Sequence, residues 1–339
     1  MADLALPADT LSRCRELLEP AMRAAVADLH PWGARMAAFS LGWSDIDGTP
    51  IEGDAGKGLR PAVAMLCAQA AGGTLETALP GAVAVELVHA FSLVHDDIID
   101  SDERRRHKPA VWKAYGVGPA ILAGDALLAL AIRSAATGPH AAAATGHLSS
   151  ALVRLVHGQT QDMAFEERPW TGHDAVSVAE YTGMAADKTG SLLACAAALG
   201  VTLAGASEPL AARMHDMGLE LGLAFQMVDD VLGIWGDPSH TGKPVFGDLR
   251  RRKKTLPVLA ALASGSPAGR ELSALLACGA DDEDSVRLAA ELIEAAGGRT
   301  TTLAIAARHA SRALDILDST FPAATDLRTL CVSLTDRTH

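Results

Sequence analysis

The chain has 339 residues, which is ample for a sizeable hydrophobic core and allows one large domain or two. Hydrophobic residues make up 49% of the sequence, which excludes a disordered chain, and a net charge of −12 argues against a nucleic-acid-binding protein. The five cysteines are scattered without paired spacing, so we expect reduced thiols in a cytoplasmic protein.

The predicted elements are helices almost throughout. Apolar residues recur at helical spacing, and the alternation that is typical of strands is nearly absent, which predicts an all-α fold. Pro and Gly residues mark the joints, and no linker divides the chain, so we predict a single domain over residues 1–339. In chain order, the predicted helices cover 9–29, 57–72, 76–102, 117–136, 141–166, 174–204, 208–235, 254–264, 269–279, 283–296, 299–319 and 324–334.

Three segments between these helices are predicted to be loops. Residues 31–56 and 236–252 are rich in Gly, Pro and charge, and residues 167–175 join two long helices. The longest uncharged run, 189–207, is long enough to span a bilayer but is rich in Ala and Gly, which favours a buried helix. We therefore predict no transmembrane segment, and the N-terminus lacks the pattern of a signal peptide.

The predicted helix 76–102 ends in a dense run of charge, LVHDDIIDSDERRR. Asp96 and Asp100 are four residues apart and share a helix face, with Asp97 beside them. Carboxylates this close repel each other, and a divalent cation removes the conflict. Oxygen ligands suit Mg²⁺, which takes one or two carboxylates together with substrate phosphates. The run therefore predicts a magnesium site.

A second acidic pair, Asp229 and Asp230, lies in the apolar segment FQMVDDVLGIW. Two acidic patches that face one cavity would hold metal ions that clamp a diphosphate between them. The alternative is a pair of solvated acidic helix faces. The neighbours of both clusters are apolar, and buried carboxylates need partners, so metal binding is the preferred interpretation.

Basic residues accompany both acidic clusters. The segment GKGLRP stands at a predicted helix start, where backbone N–H groups also favour anions. Arg forks and Lys point charges suit diphosphate oxygens, although any one of them alone would be an ordinary surface charge. In the run RRRKK at 250–254 we expect one or two of the side chains to act. The candidates are Lys57, Arg60, Arg105, Arg106, Lys188, Lys243 and Lys253.

In their order along the chain, these motifs resemble those of the trans-isoprenyl diphosphate synthases, the polyprenyl synthetase family, and among them the geranylgeranyl diphosphate synthases most. The segments GKGLRP, ELVHAFSLVHDDIID, GQTQDM, DKTG, FQMVDD and GDPSHTGKP follow one another between about residues 50 and 265. The resemblance implies an all-α helical bundle around a deep central cavity, the isoprenoid synthase fold. It also implies a homodimer and three Mg²⁺ ions in each active site.

The resemblance further implies a role for each matching position. It assigns the metal ions to Asp96, Asp97, Asp100, Asp229 and Asp230. It assigns an allylic diphosphate to Arg105, Lys188, Thr189, Gln226, Lys243 and Lys253. It assigns isopentenyl diphosphate to Lys57, Arg60, His89 and Arg106. Two further positions, Gln159 and Asp162, would support these groups.

The implied reaction is chain elongation. Metal ions and cations stabilise the charge that builds on the leaving diphosphate as the allylic carbon–oxygen bond breaks. The double bond of isopentenyl diphosphate, held alongside, attacks the cation, and a proton is lost to the released diphosphate. Because water would quench the cation, we expect the segment 236–252 to act as a lid.

Three positions depart from the family pattern. Gly233 stands where the second motif usually has a third Asp, which predicts weaker metal binding there, and Asp237 is an uncertain substitute. His107 replaces the Gly that follows the Arg pair, and the C-terminus TDRTH has one Arg in place of a basic tail. The altered second motif leaves two other functions open. One is a terpene cyclase on the same scaffold, and the other is a non-catalytic partner subunit.

Retained elements argue against both alternatives. Cyclases stabilise migrating cations with aromatic faces, whereas aromatic residues are only 4% of this chain. The segment GKGLRP and Arg106 retain the isopentenyl site, and the intact first acidic motif argues against a non-catalytic subunit.

Product length is predicted from the residues upstream of the first acidic motif. Phe91 lies five residues before Asp96, and therefore about 7–8 Å deeper along the helix, with Ser92 beside it. One aromatic next to a small residue resembles geranylgeranyl diphosphate (twenty-carbon) synthases, whereas two adjacent aromatics would suggest fifteen carbons. The absence of an insertion between Asp97 and Asp100 also disfavours the bacterial fifteen-carbon type. The alternative is that Phe91 is simply a core residue.

Overall fold

The computed structural model describes residues 8–51, 58–105, 108–237, 245–279 and 282–335, and these residues are mostly helical. The only strands among them are β1 (Arg104–Arg105) and β2 (Lys108–Pro109), which pair antiparallel. The prediction of an all-α fold is therefore confirmed. Three predicted site residues lie outside the described ranges: Lys57, Arg106 and Lys243. His107 and residues 238–244 of the predicted lid also lie outside them.

The first half of the chain forms seven helices in the described residues. A 3₁₀ turn, Glu76–Ala78, leads into the fourth of them. They are α1 (Ala8–Ala27), α2 (Pro31–Ser40), α3 (Leu59–Ala70), α4 (Leu79–Ile99), α5 (Val111–Tyr115), α6 (Val117–Ala135) and α7 (Ala141–Glu166).

The second half continues in the same manner. A single π-helical turn, Ala186–Gly190, joins the first two of its helices. These helices are α8 (Val178–Ala185), α9 (Ser191–Leu203), α10 (Glu208–Trp235), α11 (Gly247–Arg250), α12 (Leu256–Ala263), α13 (Pro267–Ala277), α14 (Glu283–Ala295), α15 (Gly298–Thr320) and α16 (Thr325–Thr335).

The loop predicted over residues 31–56 is wrong in its first part, because helix α2 occupies Pro31–Ser40. Pro31 stands at the first turn, where its missing N–H costs nothing, and the His30 side chain accepts from the Trp32 N–H at 3.3 Å. Pro31 and Gly33 favour a loop when they are counted as helix breakers, whereas Pro31 in fact marks the N-terminus of the helix. Helical residues Met36, Ala37 and Phe39 are buried and hold the helix in place.

The chain falls into two compact units. Unit 1 comprises Met1–Ser150, Leu192–His215 and Asp318–Leu330, and unit 2 comprises Ala151–Ser191, Asp216–Leu317 and Cys331–His339. The assignment of one domain to the whole chain stays a prediction.

In unit 1, helix α4 packs against α3 and α6. Small residues allow close approach elsewhere in this unit. A Cβ on Gly200 of α9 would lie 2.8 Å from the Cys67 Cβ of α3, and a Cβ on Gly81 of α4 would lie 2.8 Å from Leu203 Cδ1. The core therefore depends on glycine at helix crossings as well as on apolar side chains. Its largest fully buried side chains are Met36, Met65, Leu66, Leu87, Leu127, Leu148, Leu193, Leu199 and Met214.

In unit 2, two apolar clusters form the core. The first joins α8 and the middle of α10 to α12 through residues such as Tyr181, Met227 and Leu256. The second joins the end of α10 to α13 and α14 through residues such as Ile234 and Leu272. The paired aspartates of α10 therefore lie on a helix that is packed on more than one side.

Two helical segments of the described chain are long and apolar enough to cross a membrane by length and composition alone. They are Glu76–Ile99 and Val117–Ala135, with 61% and 33% of their most apolar windows buried. Core helices of globular proteins pass the same test, so this is weak evidence for a span. The predicted absence of a transmembrane segment stays a prediction.

Candidate active site

The first acidic cluster lies at the C-terminal end of α4. Asp100 caps the helix and its N–H donates to the Asp96 carbonyl at 2.8 Å, so the two half-buried carboxylates stand one turn apart. A helix C-terminus carries partial negative charge, which makes it an unfavourable place for carboxylates. A cation bound here would relieve both the repulsion between the carboxylates and the unfavourable helix end.

Asp97 has a different environment from its two neighbours. It is 2% exposed, and both of its carboxylate oxygens accept from Arg105 Nε, at 2.8 and 3.0 Å, while Arg105 Nη2 lies 2.7 Å from Oδ1. Burial raises the pKa of Asp97, and Arg105 opposes that rise. This pair ties strand β1 to helix α4. The structure thus brings a predicted metal ligand and a predicted diphosphate ligand together as one ion pair.

The predicted isopentenyl diphosphate residues that are described also meet in unit 1. Arg60 Nη1 lies 3.3 Å from His89 Nε2. Arg60 is in the first turn of α3, which begins after Gly58 in the left-handed conformation (φ 57°). His89 lies seven residues before Asp96 and shares its helix face. One face of α4 therefore carries the histidine, the two carboxylates and the contact to an arginine.

The two predicted chain-length residues point in different directions. The Phe91 ring is 8% exposed and meets the His95 ring edge-on at 4.8 Å between centroids. His95 Nε2 lies 3.2 Å from the Ile121 carbonyl of α6, and its ring fills the space where a Cβ on Gly124 would lie. Phe91 is therefore fixed on the α6 side of α4. Ser92, whose hydroxyl donates to the His89 carbonyl at 2.9 Å, is on the same face as Asp96.

In unit 2, the motif DKTG forms the π-helical turn. Such turns are often found at functional sites. Its backbone lies directly on α7, since a Cβ on Gly158 would be 2.7 Å from the Lys188 Cα. The Lys188 ammonium donates to Asp162 Oδ2 at 2.5 Å, and the supporting role of Asp162 stays a prediction. Gln159, the other predicted supporting residue, has a buried side-chain oxygen that has no hydrogen-bond partner among the described residues.

A hydrogen-bonded chain links this turn to the second acidic pair. The Thr189 hydroxyl donates to Gln226 Oε1 at 2.6 Å, and Gln226 Nε2 donates to Asp230 Oδ1 at 2.9 Å. The Tyr181 hydroxyl donates to Asp230 Oδ2 at 2.5 Å, and the Leu256 N–H does so at 3.2 Å. Burial raises the pKa of Asp230 to about 7, although these hydrogen bonds oppose the rise. Asp229, the adjacent carboxylate, is half-buried.

Sequence reasoning missed two groups of residues in this region. Tyr181 is one of two tyrosines in the chain and precedes DKTG by six residues, but nothing in its local pattern indicates a carboxylate partner. Asp187 accepts from Arg154 Nε at 2.7 Å and from His157 Nδ1 at 2.8 Å. Burial alone would raise the pKa of Asp187, but these two bonds hold it below its usual range. Both groups fix the turn that carries Lys188.

Most of the basic run at 250–254 has a structural role. Arg250 forms an ion pair with Glu283 at 2.9 Å, and Arg252 Nη2 donates to the Leu276 carbonyl at 2.7 Å. Lys254 is buried, which lowers its pKa, and its ammonium lies 4.5 Å from the centre of a tryptophan ring while donating to the Glu166 carbonyl. Lys253 stays a predicted ligand of the allylic diphosphate. That one or two of the five side chains act stays a prediction.

The donor set fits magnesium. The half-buried carboxylates Asp96, Asp100 and Asp229 offer only oxygen ligands, as Mg²⁺ prefers. Within the described ranges, no group of three or more His, Cys, Asp or Glu side chains is arranged to hold a metal ion by itself. This is compatible with Mg²⁺, which takes one or two carboxylates and completes its shell with water and phosphate oxygens.

Comparison with known proteins gives one family. The sequence model described as polyprenyl synthetase matches residues 51–293. The chain is 45% identical over 313 residues to the (2E,6E)-farnesyl diphosphate synthase of Mycobacterium tuberculosis, covering 91% of this chain and 86% of that protein. It is 44% identical over 302 residues to the geranylgeranyl diphosphate synthase of the same organism, covering 86% and 85%.

A solved structure shows the same fold. The crystal structure of polyprenyl synthetase from Streptomyces coelicolor aligns with a TM-score of 0.90 and 45% sequence identity. The alignment covers 96% of this chain and 98% of that chain.

Proposed function

The chain belongs to the polyprenyl synthetase family, and from this we propose that it joins isopentenyl diphosphate to an allylic diphosphate in a magnesium-dependent reaction. It is a trans-prenyltransferase with the all-α isoprenoid synthase fold. The observation that carries the proposal is the face of α4, where His89, in contact with Arg60, precedes Asp96 and Asp100. On this proposal, α4 would carry a cation-binding group and an anion-binding group on one face.

The proposed reaction needs a leaving group, a nucleophile and a dry site. When bound, Mg²⁺ would neutralise the charge on the leaving diphosphate, whose oxygen keeps the electron pair of the broken allylic carbon–oxygen bond. Asp96 and Asp100 at the end of α4 would hold Mg²⁺ in unit 1, and Asp229 on α10 would hold Mg²⁺ in unit 2. Lys188 and Thr189 would bind the oxygens of the same diphosphate.

The second substrate is held by unit 1. Arg60 and His89 would bind the diphosphate of isopentenyl diphosphate, which leaves its double bond to attack the allylic carbon. The new carbon–carbon bond moves the positive charge to the acceptor carbon. A proton then leaves the adjacent carbon for the released diphosphate, which restores a double bond and keeps the charge balance.

We propose that the product is geranylgeranyl diphosphate, with twenty carbons. The relatives named above make products of different lengths, so the argument is drawn from this chain's own residues. Phe91 provides one ring below the first acidic motif, and the neighbouring Ser92 is small and shares the face of Asp96. One ring below the motif, with a small residue beside it, leaves room for a longer chain than two adjacent rings would.

We propose that the protein acts as a homodimer in the cytoplasm. Helix α6 exposes an apolar stripe at helical spacing, which is unusual for a surface that faces water alone. All five cysteines are free thiols, as expected in a reducing compartment. The stripe consists of Val117, Ile121, Leu122 and Ile132, which are 47%, 42%, 61% and 43% exposed.

The test of the activity is diphosphate release from purified protein. We expect release only when Mg²⁺, isopentenyl diphosphate and an allylic diphosphate are all present. Release from the allylic diphosphate alone, with a hydrocarbon product, would indicate a cyclase instead. No release under any of these conditions, with a changed product when an active homologue is added, would indicate a non-catalytic partner subunit.

A further inference from the structure

The ring of Phe91 packs against the imidazole of His95, one helical turn further along α4. Side chains on a helix lean toward its N-terminus, so the imidazole at position 95 covers the turn that carries Phe91. The two rings meet edge-on, with 4.8 Å between their centroids and 66° between their planes, an arrangement that aromatic rings favour. The direction of the Phe91 ring therefore depends on where the imidazole lies.

Helix α6 fixes the imidazole. His95 Nε2 lies 3.2 Å from the Ile121 carbonyl oxygen, and because a carbonyl can only accept, this nitrogen carries the proton. The same nitrogen lies 3.8 Å from Asp125 Oδ1, one turn further along α6. The His95 side chain is 26% exposed, so most of it is covered. Two groups of α6 thus hold the imidazole in one orientation.

Gly124 provides the space for the imidazole. A Cβ at this buried position of α6 would lie 3.3 Å from His95 Cε1 and closer still to Cδ2 and Nε2. A glycine inside a helix lowers stability relative to alanine, so its presence here needs a packing reason, and the close approach of the imidazole supplies one. The imidazole therefore touches both the backbone of α6 and the ring of Phe91.

We propose that His95 determines product length by acting through Phe91. Its imidazole fills the space over Gly124 and keeps the Phe91 ring from moving toward α6, so the ring stays where it limits the growing chain. This inference rests on the proposed function and adds to it a residue outside the two predicted chain-length positions. His95 is a positioning residue, and its effect is measured by the number of five-carbon units that the product contains.

The first test removes the imidazole. In His95→Ala the Phe91 ring gains space toward α6 and withdraws from the growing chain. We expect the ratio of longer products to the parent's main product to rise about tenfold, since one group in an apolar pocket changes discrimination by this order. Mass spectrometry of the dephosphorylated products measures the ratio. In a Phe91→Ala background the same substitution should leave product lengths unchanged, because the imidazole then has no ring to hold.

The second test moves the imidazole instead of removing it. In Gly124→Ala the new methyl group displaces the imidazole toward the Phe91 ring, so we expect the opposite shift, to products one five-carbon unit shorter. Adding His95→Ala to this variant should abolish the shortening. The control is Gly118→Ala in the same helix, where no described atom beyond the helix's own backbone and the two chain neighbours lies within 4 Å of the new Cβ; its product lengths should match the parent's. Circular dichroism establishes that each variant is folded, and the first test decides if Gly124→Ala does not fold.

Unchanged product lengths in His95→Ala would overturn the inference, even with lower turnover, because a histidine that only supports the neighbouring acidic motif would give that result. A shift that persists in the Phe91→Ala background would also overturn it, since His95 would then not act through the ring. The two failures are distinguishable. If the parent adds no isopentenyl diphosphate, the proposed function fails and this inference fails with it; if the parent elongates and the variants keep its product lengths, only this inference fails.

Discussion

At the scale of single residues, the buried carboxylate of Asp230 is the most constrained group of the candidate site. It is 2% exposed and depends on Tyr181, Gln226 and the Leu256 N–H for its hydrogen bonds. A buried acceptor that loses a donor bears the cost of its own desolvation. Tyr181 therefore positions Asp230, which is one end of the series of hydrogen bonds that runs through Gln226 to Thr189.

Replacing Tyr181 by Phe removes one hydroxyl and leaves the ring in place. We expect the free energy of unfolding to fall by about 1–3 kcal/mol, because Asp230 loses a buried donor. Urea denaturation measures this. The matched control is Tyr115→Phe, since Tyr115 is the only other tyrosine and its hydroxyl donates to the Ile46 carbonyl near the surface. An equal, small loss in both variants would contradict the positioning role.

Replacing Phe91 by Ala removes the ring that we propose limits the product. We expect products longer than twenty carbons, because the pocket beneath the first acidic motif deepens by the volume of the ring. Mass spectrometry of the products measures this. Phe39→Ala is the control, since both rings are 8% exposed and each packs edge-on against another ring in unit 1. Unchanged product length in Phe91→Ala would leave Phe91 as a core residue only.

The residues that sequence could identify are those fixed by local spacing. Asp96 and Asp100 one turn apart, and Arg60 in GKGLRP, follow from helix geometry and motif order. Tyr181 could not be identified in this way, because it meets Asp230 from a different helix. The environment of Asp97 could not be predicted either, since Arg105 reaches it from a hairpin that no periodicity signals.

At the scale of elements, the contact between α7 and the π-helical turn positions Lys188. The turn has five residues and interrupts what the sequence pattern predicts as a continuous helix. Its backbone approaches α7 at Gly158, where only a glycine fits. Asp187 adds a second tie to α7 through Arg154 and His157. The geometry of the turn is therefore a tertiary property.

Replacing Gly158 by Ala inserts a methyl group against the Lys188 backbone. We expect turnover to fall by about 100-fold, since misplacement of a binding group by about 1 Å has effects of this size. The control is Gly146→Ala in the same helix, where nothing lies within 4 Å of the new Cβ. That variant should be more stable by roughly 0.5–1 kcal/mol and equally active. Parent-like turnover in Gly158→Ala would show that the contact does not position Lys188.

Helix positions were largely predictable, because apolar periodicity reports burial directly. Most helices begin and end within a few residues of their predicted bounds. They are α1, α3, α4, α6, α7, α10 and α12 to α16. The sequence pattern predicts a loop in place of helix α2, because Pro31 and Gly33 are residues that usually break helices. The π-helical turn has no signal in the apolar periodicity of the sequence. It lies against α7 at Gly158, and this contact cannot be seen in the local pattern.

At the scale of the whole molecule, the exposed apolar stripe of α6 is the surface that we propose forms the dimer interface. We expect Leu122→Lys to convert a dimer into monomers, because Leu122 is 61% exposed and is the most exposed residue of the stripe. Sedimentation velocity measures this. The control is Leu288→Lys on α14, where an exposed leucine stands outside the stripe. A monomeric parent, or a Leu122→Lys variant with the parent's mass, would contradict the proposal.

The family was predictable at this scale, whereas the single domain stays a prediction. Motif order across two hundred residues identifies the family, because each motif serves the same diphosphate chemistry. Each compact unit consists of three separate segments of the chain. No glycine- or proline-rich linker stands at the boundaries between these segments. A linker search therefore has nothing to detect.

Elongation of an allylic diphosphate to twenty carbons is tested by the mass of the product. Purified protein is incubated with Mg²⁺, isopentenyl diphosphate and farnesyl diphosphate, and the dephosphorylated product is weighed by mass spectrometry. We expect a linear twenty-carbon alcohol that forms only when isopentenyl diphosphate is present. A cyclic hydrocarbon formed from farnesyl diphosphate alone would contradict it.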